Sequence, residues 1–242
     1  MQKLPLPLYP IPSKEWENTY NRLIKDPYVI TKYNRDTRLN EQLNYIDTYL
    51  PEIYAGNSKI LDLGPGPGEF LEYCRYFKNN IWGIDAKSDD CEMGTEYLQL
   101  SWLLAERQKI PVEYFGLENY VNNKGINPGL PFEDNSVSII NSQGSWEQML
   151  KEYLIGRPHR EHKNCNLLSW DISNYNLKEF LIKTFKEFDR ILVNGGIILI
   201  YGNGAQNQKE YDFIFRDILH TEFKHFEIMF TKDNRLYKIR KR

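Results

Sequence analysis

Cysteine is scarce in this sequence, and its few cysteines follow no pattern. Cys74, Cys91 and Cys165 are odd in number and lack the paired short spacings of metal-binding cysteines. Disulfide-stabilised secreted domains and structural zinc sites both depend on such patterns. We therefore expect neither a disulfide framework nor a metal, and a reducing, cytoplasmic location fits.

A long apolar segment is missing as well. The first sixteen residues, MQKLPLPLYPIPSKEW, contain four prolines and no continuous apolar run of the kind found in signal peptides. No other stretch approaches the roughly 20 apolar residues that a transmembrane helix needs. These absences predict a soluble protein without membrane insertion.

Neither sign of charge dominates. The chain has 31 Lys and Arg against 33 Asp and Glu, for a formal net charge of −2. Nucleic-acid binding usually leaves a basic footprint on a domain, so the balance of charge argues against a nucleic-acid partner. A small basic cluster closes the sequence, and we interpret it as the solvated face of a last strand; it comprises Arg235, Lys238, Arg240, Lys241 and Arg242.

What the sequence does contain is a repeated alternation of strand and helix patterns. From residue 58, KILDLG predicts a strand, EFLEYCRYF a helix and NIWGID a second strand. Further strands are predicted at PVEYFGL, SVSIINS, IILIYG, FEIMF and LYKIRK. Such alternation indicates a parallel sheet with crossover helices, and the short TKDNR connection makes the last pair antiparallel. The predicted fold is α/β: a Rossmann-like seven-stranded sheet, mostly parallel with an antiparallel last strand, and helices on both faces.

We predict a single domain over residues 1–242. Residues 1–54 form an N-terminal arm and a helical preface, in which EQLNYIDTYL has apolar residues at helical spacing. Residues 55–242 form the core. A helix is predicted over 176–192, and the turn Asn194-Gly195-Gly196 is expected to cap its C-terminus.

The turn after the first predicted strand, Asp62-Leu-Gly-Pro-Gly-Pro-Gly68, raises the question of its ligand. A glycine-rich turn between a strand and a helix often holds a dinucleotide pyrophosphate at the helix N-terminus. Here Pro65 and Pro67 each remove a backbone N–H donor, and the dinucleotide spacing G-x-G-x-x-G would need glycine at Glu69. The sequence therefore disfavours a nicotinamide dinucleotide.

Acidic residues flank the same turn. Asp62 precedes it and Glu69 follows it, which repels phosphate and favours a cation. Asp85 ends the second strand, where a carboxylate can accept hydrogen bonds from both ribose hydroxyls. A ligand with a free ribose, an ammonium and a positive centre is S-adenosylmethionine.

These residues resemble a known family. The segment from Asp62 to Gly68, followed by Asp85, resembles the first two motifs of class I S-adenosylmethionine-dependent methyltransferases. LPFEDNSVSII at 130–140 and EFDRILVNGGIILI at 187–200 are similar to further segments of the type 11 group. The resemblance implies S-adenosyl-L-methionine as cofactor and a cofactor site that comprises Asp62, Gly64, Pro65, Gly66, Gly68, Asp85, Ala86, Glu118 and Asn141.

The sequence departs from the family at the adenine contact and in the acceptor region. The family's Asp-Ala pair after the third strand is absent, and Glu118 is our substitute for it. The N-P-P-Y type motif of DNA amino-methyltransferases is also absent. The long insertion at 143–175 is expected to act as a lid or specificity element.

The insertion supplies the candidate catalytic residues. If the acceptor is a hydroxyl, His159, His162 or Glu147 could act as general base, which adds typically ~10²–10⁴-fold to the rate. The alternative, that both histidines are ordinary surface residues, stays open.

Several functions are compatible with these patterns. The leading hypothesis is methyl transfer to a small-molecule or saccharide acceptor, as in bacterial surface-polysaccharide modification. The alternatives are an RNA or protein methyltransferase and a non-catalytic partner subunit with a methyltransferase fold. A homodimer is a further hypothesis.

Overall fold

The computed structural model describes most of the core but not the N-terminal arm or most of the insertion. The described residues are 35–66, 68–85, 109–114, 117–121, 129–146, 177–201, 216–230 and 236–242.

Within these residues a seven-stranded sheet has the order β3-β2-β1-β4-β5-β7-β6. The pairings that link β3, β2, β1, β4 and β5 are parallel, whereas β7 runs antiparallel to both β5 and β6. This confirms the predicted α/β sheet with an antiparallel last strand. The strands are β1 Lys59–Leu63, β2 Asn80–Asp85, β3 Val112–Tyr114, β4 Val137–Gln143, β5 Leu192–Tyr201, β6 Phe226–Phe230 and β7 Leu236–Lys241.

Helices cover both faces of the sheet. Because successive strand residues point to opposite faces, Ile60 of β1 joins one apolar cluster and Leu61 the other. The first cluster includes residues of α1 and α2, and the second includes the aromatic stripe of α4. The described helices are α1 Arg35–Tyr49, α2 Glu69–Tyr76, α3 Leu117–Val121, α4 Leu177–Ile191 and α5 at 216–222, with a 3-10 turn at Pro51–Ala55.

The three central strands bring their carboxyl ends to one edge of the sheet. In the register of the sheet, Asp62 of β1 lies opposite Gly83 of β2 and Asn141 of β4. The turn after β1, the end of β2 and the end of β4 are therefore neighbours. Open α/β sheets bind their ligands at this edge.

The glycine turn near α4 differs from the prediction. α4 ends at Ile191 and β5 begins at the next residue, so Asn194, Gly195 and Gly196 lie within β5 rather than at a helix cap. The register with β4 shifts there, because Val137 pairs with Leu192 and Ile139 with Ile197. Gly195 has φ +78, which a left-handed bend inside a strand requires.

The basic cluster is also not simply a solvated face. Lys238 Nζ lies 3.1 Å from Glu52 Oε1, and Lys241 Nζ lies 3.2 Å from Asp189 Oδ1. Their side chains are only 15% and 12% exposed, so the interpretation is wrong for these two lysines. They are satisfied structural ion pairs of the folded chain.

No helix in the described ranges combines the length and the apolar character that crossing a membrane requires.

Candidate functional site

The glycine loop, Gly64 to Gly68, joins β1 to α2 and has two different reasons for its glycines. Gly64 has φ +72, and a Cβ there would lie 2.2 Å from the Cβ of Ser145, so a closely packed neighbour requires glycine. Gly66 has φ +53, yet no atom of the described residues lies within 4 Å of the position that its Cβ would take. No described atom therefore fills the space beside Gly66, which lies at the edge where the carboxyl ends of the parallel strands meet.

Pro65 fixes the loop against the neighbouring strand. Pro65 is buried, and a Cβ at Gly83 of β2 would lie 2.7 Å from Pro65 Cγ. The absence of a side chain at Gly83 thus lets the loop lie directly on β2. Sequence reasoning missed Gly83, although a glycine inside a predicted strand is a known sign of close backbone approach.

Asp85 connects the end of β2 to the loop. The backbone N–H of Gly66 donates a hydrogen bond to Asp85 Oδ2 over 3.2 Å. Asp85 is half-buried, and this hydrogen bond places its carboxylate beside Gly66. The structure thus brings the second predicted motif next to the first.

Asp62 lies beneath the loop and is only 3% exposed. Its Oδ1 accepts a hydrogen bond from Asn141 Nδ2 over 2.8 Å. Burial raises the pKa of Asp62 to about 7, the hydrogen bond from Asn141 acts in the opposite direction, and the charges of Asp85 and Glu69 raise it further. Near neutral pH this carboxyl group therefore exists in both protonation states.

Glu69 completes the acidic lining. It is the first residue of α2 and is 3% exposed. A carboxylate in the first turn of a helix interacts favourably with the helix dipole, which offsets part of the cost of burying it.

Tyr45 of α1 is a site residue that the sequence did not reveal. Its hydroxyl donates a hydrogen bond to Asn141 Oδ1 over 3.0 Å, which links α1 through Asn141 to Asp62. Burial raises the pKa of Tyr45 well above its ordinary value of 10, with the charge of Asp62 as a further cause, so the hydroxyl keeps its proton. Since 96 positions separate Tyr45 from Asn141, no local pattern could have predicted this contact.

The end of β4 holds the loop from its other side. Ser142 Oγ donates to the carbonyl oxygen of Leu63 over 3.2 Å, and Ser145 Oγ donates to the same oxygen. Trp146 follows and is buried against Phe185 and Phe188 of α4. These contacts hold the first residues of the insertion against the core.

The structure describes only some of the remaining predicted site residues. Gly68 has φ +88 and packs on Ile110, while Glu118 lies on α3 with its side chain outside the described part of the chain. The other four predicted residues lie outside the described residues: Ala86, Glu147, His159 and His162. In the part of the chain that the structure describes, no group of three or more His, Cys, Asp or Glu side chains could hold a metal ion.

Comparisons with known proteins give only distant similarities. No family model matches the chain, and no curated protein matches it. The chain is similar to a solved S-adenosylmethionine-dependent methyltransferase from Archaeoglobus fulgidus, with 16% identity, a TM-score of 0.47, and coverage of 86% of this chain and 79% of that one. A methyltransferase from Pyrococcus furiosus has 14% identity and a TM-score of 0.44, with coverage of 83% of this chain and 80% of that one.

A third similar structure is Haemonchus contortus phosphoethanolamine N-methyltransferase 2 in complex with S-adenosyl-L-methionine. It gives 14% identity, a TM-score of 0.44, and coverage of 92% of this chain and 47% of that one. Similarities this distant assign neither a ligand nor a reaction to the chain, so both must be argued from the site.

Proposed function

We propose that the chain binds S-adenosylmethionine and transfers its methyl group to a small-molecule or sugar-like acceptor. The observation that carries the proposal is left-handed Gly66, beside Asp85 and close to buried Asp62, with no described atom within 4 Å of the position that its Cβ would take. A glycine loop edged by carboxylates suits a ligand that is cationic and carries free hydroxyl groups.

The residues present fit this cofactor better than a dinucleotide. Asp85 would accept hydrogen bonds from the two ribose hydroxyls, and Asp62 would attract the ammonium group. Gly66 would let the backbone approach the ligand closely. The loop is poorly suited to bind a pyrophosphate. Pro65 has no N–H to donate, and Asp62, Asp85 and Glu69 place negative charge around the loop.

The chemistry divides simply between ligand and protein. Bound S-adenosylmethionine supplies a methyl group on a positively charged sulfur, which is a good leaving group. The protein's task is to align the acceptor with that methyl group and to exclude competing nucleophiles. Glu147, His159 and His162 stay predicted general bases for a hydroxyl acceptor.

The position of the last basic residues of the chain supports a small acceptor over RNA. β7 is antiparallel to β5 and pairs Arg240 with Ile197, so its C-terminal residues lie towards the amino ends of the parallel strands. The glycine loop lies at the opposite edge. Arg240, Lys241 and Arg242 are therefore remote from the proposed cofactor site, where an RNA substrate would need basic residues.

The test is calorimetric titration of the purified chain with S-adenosylmethionine, S-adenosylhomocysteine and NAD. Binding of the first two at micromolar Kd, with none of NAD, supports the proposal and justifies screening acceptors, beginning with nucleotide sugars and small amines. Absence of binding by either would favour a non-catalytic partner subunit instead. A cytoplasmic location and surface-polysaccharide modification remain part of the proposal and need the acceptor to be identified.

A further inference from the structure

Three buried polar groups form a hydrogen-bonded chain from α1 to the glycine loop. The Tyr45 hydroxyl donates to Asn141 Oδ1 over 3.0 Å, and Asn141 Nδ2 donates to Asp62 Oδ1 over 2.8 Å. Of the three residues, Tyr45 is the most exposed, at 6%. We infer that Tyr45 is a positioning residue, whose hydroxyl orients the Asn141 amide so that Asp62 is held as a carboxylate ready for a cationic ligand.

The direction of the chain follows from donor and acceptor chemistry. When Asp62 is ionised its carboxylate only accepts hydrogen bonds, so the amide NH₂ of Asn141 then faces Asp62, as it does in the structure. The amide oxygen then faces Tyr45 and needs a donor, and the protonated Tyr45 hydroxyl is that donor. Hydrogen bonds in such a chain polarise one another, so the hydroxyl strengthens the bond that Asn141 donates to the charged carboxylate.

Tyr45 is held in place by its aromatic neighbours. Its ring makes edge contacts with Tyr49, Phe70 and Tyr201 at centroid distances of 5.5, 6.2 and 5.8 Å. Replacing Tyr45 by phenylalanine keeps these ring contacts and removes only the hydroxyl. Tyr49→Phe is the matched control, because it removes a hydroxyl from the same aromatic cluster without touching Asn141.

The groups around Asp62 explain why this hydroxyl matters. Asp85 on β2 and Glu69 on α2 both face Asp62 and disfavour its ionised form, and Cys74 on α2 is a buried thiol that stays protonated. Asn141 opposes them, and its hydrogen bond depends on the orientation that Tyr45 fixes. Without the Tyr45 hydroxyl, the charged form of Asp62 loses more hydrogen-bond stabilisation than the neutral form does.

The first experiment needs no ligand. The carboxyl titration of Asp62 is followed by ¹³C NMR in the wild type, Tyr45→Phe and Tyr49→Phe, with Asp62→Asn to assign the resonance. The Tyr45→Phe midpoint should rise by roughly one pH unit, a tenfold change in proton affinity, while the Tyr49→Phe midpoint stays where it is. Equal midpoints in all three proteins, or equal shifts in both tyrosine variants, would overturn the inference.

The second experiment rests on the proposed function. Calorimetric affinity for S-adenosylmethionine is measured from pH 6 to pH 9. Only the carboxylate form of Asp62 attracts the ammonium group. If the midpoint of Asp62 rises by one unit from near 7, the Tyr45→Phe variant should bind S-adenosylmethionine roughly fivefold more weakly than the wild type at pH 7, and almost equally well at pH 9. An equal loss at every pH would mean that Tyr45 acts through packing alone and would overturn the inference. If the wild type binds no ligand, the proposed function fails, and the NMR titration still decides the role of Tyr45.

Discussion

Replacing Gly66 by valine tests where the ligand lies. Gly66 has φ +53, and a left-handed conformation costs a residue with a Cβ about 1–2 kcal/mol. No described atom lies within 4 Å of the new Cβ, so this strain is the main structural cost that we expect. A ligand in that space would overlap the side chain, and overpacking costs about 1–3 kcal/mol or more, so the Kd for S-adenosylhomocysteine should rise at least roughly tenfold.

Gly195→Val is the matched control for that strain. Gly195 has φ +78 and likewise has no described atom within 4 Å of the position that a Cβ would take, but it lies beside the amino end of β4, away from the glycine loop. Both variants should lower the free energy of unfolding, measured in urea, by similar amounts. Only Gly66→Val should lose affinity in the calorimeter; equal affinities in the two variants would refute a ligand at Gly66.

The carboxylates and the tighter glycine give further predictions. Asp85→Ala should weaken S-adenosylmethionine binding by about 1.5–3 kcal/mol, whereas Asp134→Ala, which removes an exposed carboxylate, should leave the calorimetric Kd unchanged. Asp62→Asn should raise the free energy of unfolding at pH 8 by roughly 2–4 kcal/mol and leave it unchanged below about pH 4. The reason is that the raised pKa of Asp62 destabilises the folded state progressively as the pH rises from about 4 towards 7. Gly64→Ala should lower the thermal midpoint more than Gly66→Ala does, because its Cβ would overlap Ser145.

The fold could be predicted because its pattern is local. Each strand of the parallel sheet is a short apolar run, and the helices between strands show apolar residues at helical spacing. The stripe of α4, with Phe180, Phe185 and Phe188 all buried, is the clearest case. The prediction failed at Asn194-Gly195-Gly196, because a left-handed glycine ends a helix and bends a strand equally well and only the pairing with β4 distinguishes the two.

The candidate site could be predicted from the sequence only at residues whose type is required by their own backbone conformation. Gly64 and Gly66 stood out in the sequence, and both have the left-handed conformation that only glycine adopts readily. Tyr45 could not be found in this way. Its role depends on a contact across 96 positions, and nothing in the preface distinguishes it from Tyr49, one turn away on the same helix.

The acidic site is unfavourable for the folded chain alone, which gives a physical reason to expect a cationic ligand. Asp62 is buried with Asp85 and Glu69 nearby, and its pKa is raised to about 7. An ammonium group beside Asp62 would reverse this by favouring the carboxylate, so ligand binding below pH 7 should release a proton. Calorimetry at pH 6.5 in buffers of different ionisation enthalpy measures that proton, and Asp62→Asn should release less. Binding without any proton release in the wild type would mean that the ligand's positive charge lies away from Asp62.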